Sequence, residues 1–265
     1  MPPVRISVLT PSYNQGAFIR RTLDSVLGQT GNFDLEYVVI DGGSTDDTLD
    51  ILRSYGDRLR WRSEPDRGQV EAINKGLRAA TGEIVGWLNS DDLLAPGALQ
   101  RVAETFAEHP GLEWLHGRCN VIDVHDRVIR RWISAYKHWC ARHYSYERLI
   151  AENFVSQMTV YWRRDVMDEI GFVDPDLKLA FDYDLWLRLA KRSDPLYVPE
   201  LQASFRWYET TKSGSFFVEQ FEEDYEIALR NAPEHRWPLL VKRVKSFRAV
   251  TIYRGMRVMR SILGR

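Results

Sequence analysis

The feature that most constrains the fold is an alternation of short apolar runs with helical patterns through residues 4–92. The apolar runs are rich in β-branched residues and lack polar alternation, which is typical of strands buried on both faces. They are Val4–Thr10, Leu35–Ile40 and Glu83–Leu88, and the short segment Leu59–Arg62 is a further candidate strand. Helical patterns follow or separate these runs, so the order predicts βαβ units and an α/β fold with a mostly parallel sheet.

Polar or glycine-rich segments stand at the predicted carboxyl ends of three of these strands. They are Thr10–Asn14, Asp41–Ser44 and Asn89–Asp92. Ligands of open α/β sheets bind outside the carboxyl ends of the strands. We therefore expect these three segments to converge on one ligand-binding edge. The first segment contains neither a G-x-G-x-x-G dinucleotide fingerprint nor a P-loop.

Two adjacent carboxylates, Asp91 and Asp92, follow the apolar run that ends at Leu88. Neighbouring acids beside a buried strand are unfavourable unless something neutralises them. Hard oxygen ligands suit Mg²⁺ or Mn²⁺, and one or two carboxylates are enough when substrate phosphates complete the shell. The alternative is that Asp92 caps the helix that follows and Asp91 is solvated.

Three further residues each have a functional and a local interpretation. Asp41 either accepts hydrogen bonds from a base or ribose, or bonds nearby backbone N–H groups. Tyr13 either stacks on a nucleobase or is an exposed loop tyrosine. Asp182, beside the predicted helix 184–191, is either a general base or a helix cap.

The second half of the chain is less regular. Residues 98–107 and 216–230 have helical patterns, and 146–151, 164–170 and 184–191 predict short helices. Leu112–Leu115 and Cys119–Trp132 predict strands, with a turn near Asp126.

Composition excludes several classes of protein. With 9 Trp, 12 Tyr and 11 Phe, the chain has too much apolar surface to remain disordered. A formal net charge of −1 argues against a nucleic-acid partner. Two cysteines form no disulfide framework, and the six histidines lack metal-ligand spacing. The sequence shows neither a signal peptide nor an apolar run of about 18 residues, so we expect a cytoplasmic location.

The C-terminal segment differs from the rest. Residues 239–265 contain eight basic residues and no acid. At 100° per residue, Leu240, Val244 and Phe247 lie on one broad apolar face. The segment predicts a basic amphipathic helix over 236–265, either an anchor on an anionic membrane surface, at the inner face of the membrane, or a helix docked on the domain.

Six motifs in order resemble family-2 inverting glycosyltransferases of the GT-A fold. They are Thr10–Asn14, Val39–Asp46, Glu64–Gly76, Ala80–Glu83, Trp87–Asp92 with Pro96–Gly97, and Phe181–Arg188. The resemblance covers about residues 4–210 and implies a GT-A fold, Rossmann-like, with the C-terminal amphipathic helix appended. It implies one domain, 1–235, with a nucleotide-sugar-binding half (1–92) and an acceptor half (93–235).

The resemblance also implies roles for individual residues. Asp182 would be the catalytic base, and Asp91 the metal-binding carboxylate of a DxD-like motif. The positions expected to contact the nucleotide-sugar donor are Thr10, Pro11, Tyr13, Asp41, Asp66, Arg67, Gly68, Asn89, Ser90 and Asp92. The chain departs from the family pattern at three places. Asn89 replaces the first Asp of the DxD, Phe181 replaces the acid that often precedes the base, and Tyr208 stands where a His is often found.

The expected activity is inverting transfer of a sugar from a nucleotide-diphosphate sugar, with Mg²⁺ or Mn²⁺, to a glycan or lipid-linked acceptor in cell-surface polysaccharide synthesis. One alternative is a sugar-phosphate nucleotidyltransferase, which should carry a basic, glycine-rich loop after the first strand; Thr10–Gly16 contains no Arg or Lys. The other is a non-catalytic GT-A module that binds nucleotide without turnover.

Overall fold

A computed structural model describes residues 3–209 and 216–262. Residues 263–265 of the predicted C-terminal helix lie outside the described residues. The strands are β1 (Val4–Ser12), β2 (Phe33–Asp41), β3 (Arg60–Ser63), β4 (Ile84–Trp87), β5 (Leu93–Leu94), β6 (Trp114–Ile122), β7 (Val128–Ile129), β8 (Tyr161–Arg163) and β9 (Leu196–Arg206).

The helices flank this sheet and connect its strands. They are α1 (Ile19–Leu27), α2 (Thr48–Ser54), α3 (Gln69–Ala79), α4 (Ala98–Glu108), α5 (Arg131–Arg142), α6 (Tyr146–Ala151), α7 (Met167–Ile170), α8 (Phe181–Arg192), α9 (Phe217–Asn231) and α10 (Arg236–Ile262). Within the described ranges, none of them combines the length and apolar character needed to cross a membrane.

The strands form one mixed sheet in the order β3-β2-β1-β4-β8-β6-β9-β5, with β7 paired to β6. The first four strands in that order are parallel, as βαβ connections require. Strand β8 pairs antiparallel with β4 and β6, whereas β6 and β9 are parallel over a longer stretch. The prediction of an α/β fold with a mostly parallel sheet flanked by helices is confirmed.

Apolar side chains alternate across β1 and supply two cores, one on each face of the sheet. Ile6 and Val8 pack with α1 and α4 on one face. Leu9 packs with α3 and α8 on the other, where four buried tryptophans meet. Strands β1, β2 and β4 are therefore buried on both faces along most of their length, which is why their sequences contain continuous apolar runs.

One strand prediction was wrong. Residues 119–132 were expected to be strands, but β7 ends at Ile129 and Arg131 begins the helix α5. The β-branched residues of this region suited a strand, but Arg130, in the left-handed conformation (φ 48°), interrupts the extended backbone and is the N-cap residue of the helix. Neither helix α5 nor strand β9 was predicted from the sequence.

Candidate active site

The loops after β1 and β2 are joined by hydrogen bonds and form one wall of the predicted ligand edge. The Asn14 N–H donates to Ser44 Oγ at 2.7 Å, and the Thr45 N–H donates to Asn14 Oδ1 at 2.8 Å. Asn14 has a φ of 50°, a conformation that asparagine tolerates better than most residues. The two predicted segments thus converge, as expected for neighbouring parallel strands.

Asp41 is fully buried at the end of β2 and organises this wall. Its carboxylate accepts from the backbone N–H groups of Gly43 and Ser44 and from the hydroxyls of Ser44 and Ser63, at 2.5–3.0 Å. These bonds match the local interpretation of Asp41, in which the carboxylate builds the loop. Its contact with a nucleoside stays a prediction.

Asp66 lies against the backbone of this loop. A Cβ on Gly42 would stand only 2.8 Å from Asp66 Oδ2, so glycine is needed for that approach. Asp66 Oδ1 accepts from the Gly68 N–H at 2.8 Å, and Gly68 has a φ of 123°. Burial, with smaller contributions from Glu71 and Asp41, raises the pKa of Asp66. Asp66 is thereby held beside Asp41 at the predicted donor edge.

The remaining predicted donor residues have different degrees of exposure. Thr10 and Pro11 are buried, and Thr10 Oγ1 lies 3.0 Å from the Tyr37 hydroxyl. Tyr13 is exposed on the loop after β1, where its ring is accessible to a flat partner. Arg67 is exposed, and its backbone N–H donates to Glu71. Ser90 is buried, with its carbonyl accepting from Thr22 Oγ1.

The Asn89–Asp92 turn follows β4, and its side chains hold one another in place. Asn89 Oδ1 accepts from Gln69 Nε2 at 2.8 Å, while Asn89 Nδ2 donates to Asp92 Oδ2 at 3.3 Å. Asp92 is 0% exposed, and its Oδ1 also accepts from the Arg206 N–H at 2.8 Å. The neutral Asn89 therefore supplies a donor to Asp92 that a carboxylate at position 89 would lack.

Asp91 and Asp92 have different surroundings. Asp92 faces the interior, and burial together with the Asp91 charge raises its pKa well above the usual range. Asp91 is partly exposed, and Oδ2 accepts from the Tyr208 hydroxyl at 2.9 Å. Burial raises the pKa of Asp91 as well. Asp92 is thus a structural acid, and Asp91 is the accessible one.

Arg206, at the end of β9, is a site residue that the sequence analysis missed. It is 0% exposed; its Nε donates to the Asp91 carbonyl and its guanidinium pairs with Asp126 Oδ1 at 2.5 Å. Its guanidinium also lies 5.0 Å from the Phe18 ring centroid. Arg206 therefore brings a buried positive charge beneath the Asp91–Asp92 pair, a placement that depends on the pairing of β9 with β6.

Asp182 lies in the first turn of α8, and Ala180 is the residue that precedes the helix. The Tyr183 N–H donates to Asp182 Oδ1 at 2.7 Å. The preceding Phe181 packs on Trp87 of β4, with ring centroids 6.5 Å apart. Because β4 leads directly into Asn89–Asp92, this contact places the start of α8 at the same edge of the sheet.

The surroundings of Asp182 favour its protonated form. Burial and the nearby Asp224 carboxylate raise the pKa of Asp182 to about 7, against smaller opposing contributions from the Tyr183 N–H and Lys137. By contrast, Asp184 accepts from Arg188, Arg230 and Asn231, and its pKa is lowered. Asp184 is thus a structural acid, whereas Asp182 has the pKa of a general base at neutral pH.

A second missed residue, Glu223 of α9, fixes the approach to α8. Its carboxylate accepts from three consecutive backbone N–H groups, those of Lys178, Leu179 and Ala180, at 2.6–2.8 Å. Hydrogen bonds to a charged acceptor are stronger than neutral ones. Glu223 thereby sets the position of Asp182 through the backbone.

We expect Glu223→Ala to lower the free energy of unfolding by about 2–3 kcal/mol, because two partly buried donors and one exposed donor lose a charged acceptor. Chemical denaturation at neutral pH measures the change. The exposed neighbour Glu222 provides the control, and Glu222→Ala should change stability by less than about 0.5 kcal/mol. Equal effects of the two substitutions would contradict the assigned role.

The donor set at this edge is compatible with a divalent cation that is shared with a substrate. Within residues 3–209 and 216–262, no three His, Cys, Asp or Glu side chains are grouped as a metal site. Mg²⁺ is commonly bound through one or two carboxylates, with phosphate oxygens and water completing its shell. The partly exposed Asp91 carboxylate fits that arrangement.

Comparison with known proteins agrees with this geometry. The model of the family described as "Glycosyl transferase family 2" matches residues 7–169, more than half of the chain. The chain belongs to glycosyl transferase family 2. The matched residues include most of β1, all of β2–β4, the Asn89–Asp92 turn and most of the sheet, so the expected family is confirmed.

Two relatives differ in sequence identity to this chain and in the share of each protein that the match covers. A PGL/p-HBAD biosynthesis glycosyltransferase of Mycobacterium bovis is 28% identical over 266 residues, covering 95% of this chain and 98% of that protein. An uncharacterized glycosyltransferase of a Nostoc species is 35% identical over 130 residues, covering 48% of this chain. The chain spans only 40% of the Nostoc protein.

Solved structures show the same fold. A structure of S. aureus TarS 1-349 in complex with UDP-GlcNAc has a TM-score of 0.63 at 21% identity, covering 85% of this chain and 66% of that chain. The mannosyltransferase PcManGT from Pyrobaculum calidifontis, in complex with GDP-Man and Mn²⁺, has a TM-score of 0.64 at 20% identity, covering 94% and 76%. The family-2 chain thus has the GT-A fold that was expected.

Proposed function

We propose that this family-2 glycosyltransferase is an inverting, metal-dependent enzyme that uses a nucleotide-diphosphate sugar. The observation that best supports the proposal is Asp182, a carboxyl group with a pKa of about 7 beside the Asn89–Asp92 edge. A base with that pKa is half ionised at neutral pH and can accept a proton efficiently. The binding of UDP-GlcNAc and GDP-Man by its structural neighbours supports the same class of donor.

In the proposed reaction, Asp182 accepts the proton of an acceptor hydroxyl while that oxygen attacks the anomeric carbon. The bond from the anomeric carbon to the diphosphate breaks in the same displacement, so the configuration inverts, as in inverting hydrolases. Tyr13, with Asp66 and the Arg67–Gly68 turn, would contact the nucleotide. Asp91 would hold Mg²⁺ or Mn²⁺, which offsets charge on the departing diphosphate when bound.

The acceptor would bind next to Asp182, on the side of β6 and α5. Lys137 of α5 lies on that side, next to Cys119 of β6. Lys137 also lowers the pKa of Asp182, which places its charge near the proposed base. We propose that the attacking group is a hydroxyl of a glycan or of a lipid-linked acceptor. The reaction would then be a step of cell-surface polysaccharide synthesis.

The test is a panel of UDP-, GDP-, TDP- and ADP-sugars incubated with purified protein and Mn²⁺, Mg²⁺ or EDTA, with membrane lipid extract as acceptor source. We expect one donor to release nucleoside diphosphate in the presence of metal, and Asp91→Asn to lower that rate by at least about 10²-fold. Full activity in EDTA would contradict metal dependence. Donor binding without any turnover would instead support a non-catalytic nucleotide-binding module.

A further inference from the structure

Helix α10 exposes an apolar stripe on the side that faces away from the domain. Trp237, Leu240, Val244 and Phe247 are 50–72% exposed, and their spacing of three and four residues places them on one helical face. The opposite face carries Leu239 and Lys242, both buried against the domain. The domain therefore covers one side of α10 and leaves this stripe, residues 237, 240, 244 and 247, without a partner among the described residues.

A second stripe lies on α5. Trp132, Tyr136 and Trp139 are 42–73% exposed and recur at a spacing of four and three residues. Helices α5 and α10 are linked through Glu152, because the Tyr136 hydroxyl and Lys245 Nζ both donate to the same oxygen of that residue, at 2.6 and 2.5 Å. The two stripes thus belong to helices that meet at Glu152, and we name them together the α5–α10 surface.

The charges around this surface have one sign on both helices. Neither 131–142 nor 236–262 contains an Asp or Glu. On α10, Arg236, Arg243, Lys245 and Arg248 are exposed beside the apolar stripe. On the neighbouring α6, the Arg148 guanidinium lies 4.7 Å from the Trp139 ring centroid. Glu152 pairs with Lys245 and offsets its charge, so the positive charge of α10 beside the stripe comes from Arg236, Arg243 and Arg248.

We propose that the α5–α10 surface docks the enzyme on an anionic membrane, with the two aromatic and apolar stripes in the headgroup region. Tryptophan and tyrosine favour the membrane interface, and basic residues beside an apolar face attract anionic lipids. A second copy of the chain is a poor occupant because it would bring two basic surfaces together. Docking through α5 as well as α10 holds the domain in one orientation on the membrane, rather than tethering it by its terminus alone.

The experiment is flotation of the full chain with phosphatidylcholine vesicles, with and without phosphatidylglycerol, at two salt concentrations. We expect binding to the anionic vesicles that weakens as salt rises. Leu240→Ser/Val244→Ser/Phe247→Ser and Trp132→Ser/Trp139→Ser should each lower partitioning about tenfold or more. Arg243→Gln should lower it about fivefold, the value of one basic residue near an anionic surface.

Matched controls separate docking from general effects of substitution. Leu229, on α9, is also exposed and apolar, and Leu229→Ser should leave partitioning unchanged, as should Arg53→Gln on α2. All replaced residues are at least half exposed or close to it, so thermal unfolding should stay near wild type.

Three outcomes would overturn the proposal. The first is wild-type protein that ignores anionic vesicles, and the second is a stripe variant that floats like wild type. The third is a dimer in solution that both stripe variants dissociate, with no vesicle binding, which would assign the surface to a second copy. Flotation does not depend on turnover, and Asp182→Asn should float normally, so failure of the proposed activity would be seen separately.

Discussion

Asp182→Asn is expected to lower kcat by about 10³-fold or more, because the acceptor hydroxyl loses the group that accepts its proton. The amide has the same shape, and its oxygen can still accept from the Tyr183 N–H that now bonds Asp182 Oδ1 at 2.7 Å. Donor binding, measured by calorimetry with the nucleotide released in the panel, should therefore change little. A variant that keeps more than about a tenth of wild-type kcat would contradict the assignment of Asp182 as the base.

The pH dependence of kcat/KM is a second test of the role of Asp182. Since the pKa of Asp182 is raised to about 7, the fraction of ionised base should rise with pH around that value. We expect wild-type kcat/KM to increase between about pH 6 and about pH 8 and then level off. The residual activity of Asp182→Asn should lack this step.

The contribution of Asp182 to protein stability should fall as pH rises, whereas its contribution to activity should increase. Its pKa is higher in the folded protein than the usual 3.8, so the native state holds the proton more tightly than the unfolded state. The contribution of Asp182 to stability is therefore lost as pH rises from about 4 through about 7. At pH 8, we expect Asp182→Asn to unfold at the same temperature as wild type or higher. That result would show that the loss of activity is not caused by misfolding.

Arg206→Met is expected to lower the free energy of unfolding by about 2–3 kcal/mol, because the carbonyls of Asp91 and Asp123 lose a charged donor that is fully buried. The guanidinium of Arg206 is fully buried and bonds the carbonyls of Asp91 and Asp123 as well as the Asp126 carboxylate. Its loss also removes the positive charge beside Asp91 and Asp92. Urea denaturation measures the change in stability.

Arg21 is a matched control for Arg206 because it bonds the same carboxylate. Arg21 Nη1 lies 3.0 Å from Asp126 Oδ2, but its side chain is 38% exposed. Arg21→Met should therefore cost less than about 1 kcal/mol, as exposed ion pairs usually do. Similar losses in the two variants would mean that burial of Arg206 does not determine its contribution.

The parallel half of the fold was predictable because its signals are local. Strands β1, β2 and β4 contain apolar runs, and the loops that follow them contain the polar residues expected at a ligand edge. The segment from Cys119 to Arg206 was harder, since its pairing is long-range. Strand β9 pairs parallel with β6 and skips Pro199 and Glu200 between Val198 and Leu201. Proline donates no ladder hydrogen bond, so the sequence of β9 gave a weak strand signal.

The candidate site was predictable in part for the same reason. Asn89–Asp92 and Asp182 stood out because acids next to apolar runs need an explanation. Arg206 and Glu223 did not, because an arginine at a strand end and a glutamate on a helix are ordinary until tertiary contacts place them. Helix α5 was missed because its large side chains, Trp132 and Trp139, lie on its outer face, which weakens the usual signal of a core-facing helix.

The inner face of α10 has a consequence for protein engineering. Lys242 is buried, its Nζ lies 4.1 Å from the centroid of the Tyr183 ring, and its charge opposes the raised pKa of Asp224. Asp224 in turn raises the pKa of Asp182. Removing residues 236–265 to obtain a better-behaved sample would delete the counter-charge of Asp224 together with the exposed stripe. In the shortened enzyme Asp224 would be protonated more readily and would repel the Asp182 carboxylate less, so its kinetics would describe a different catalyst.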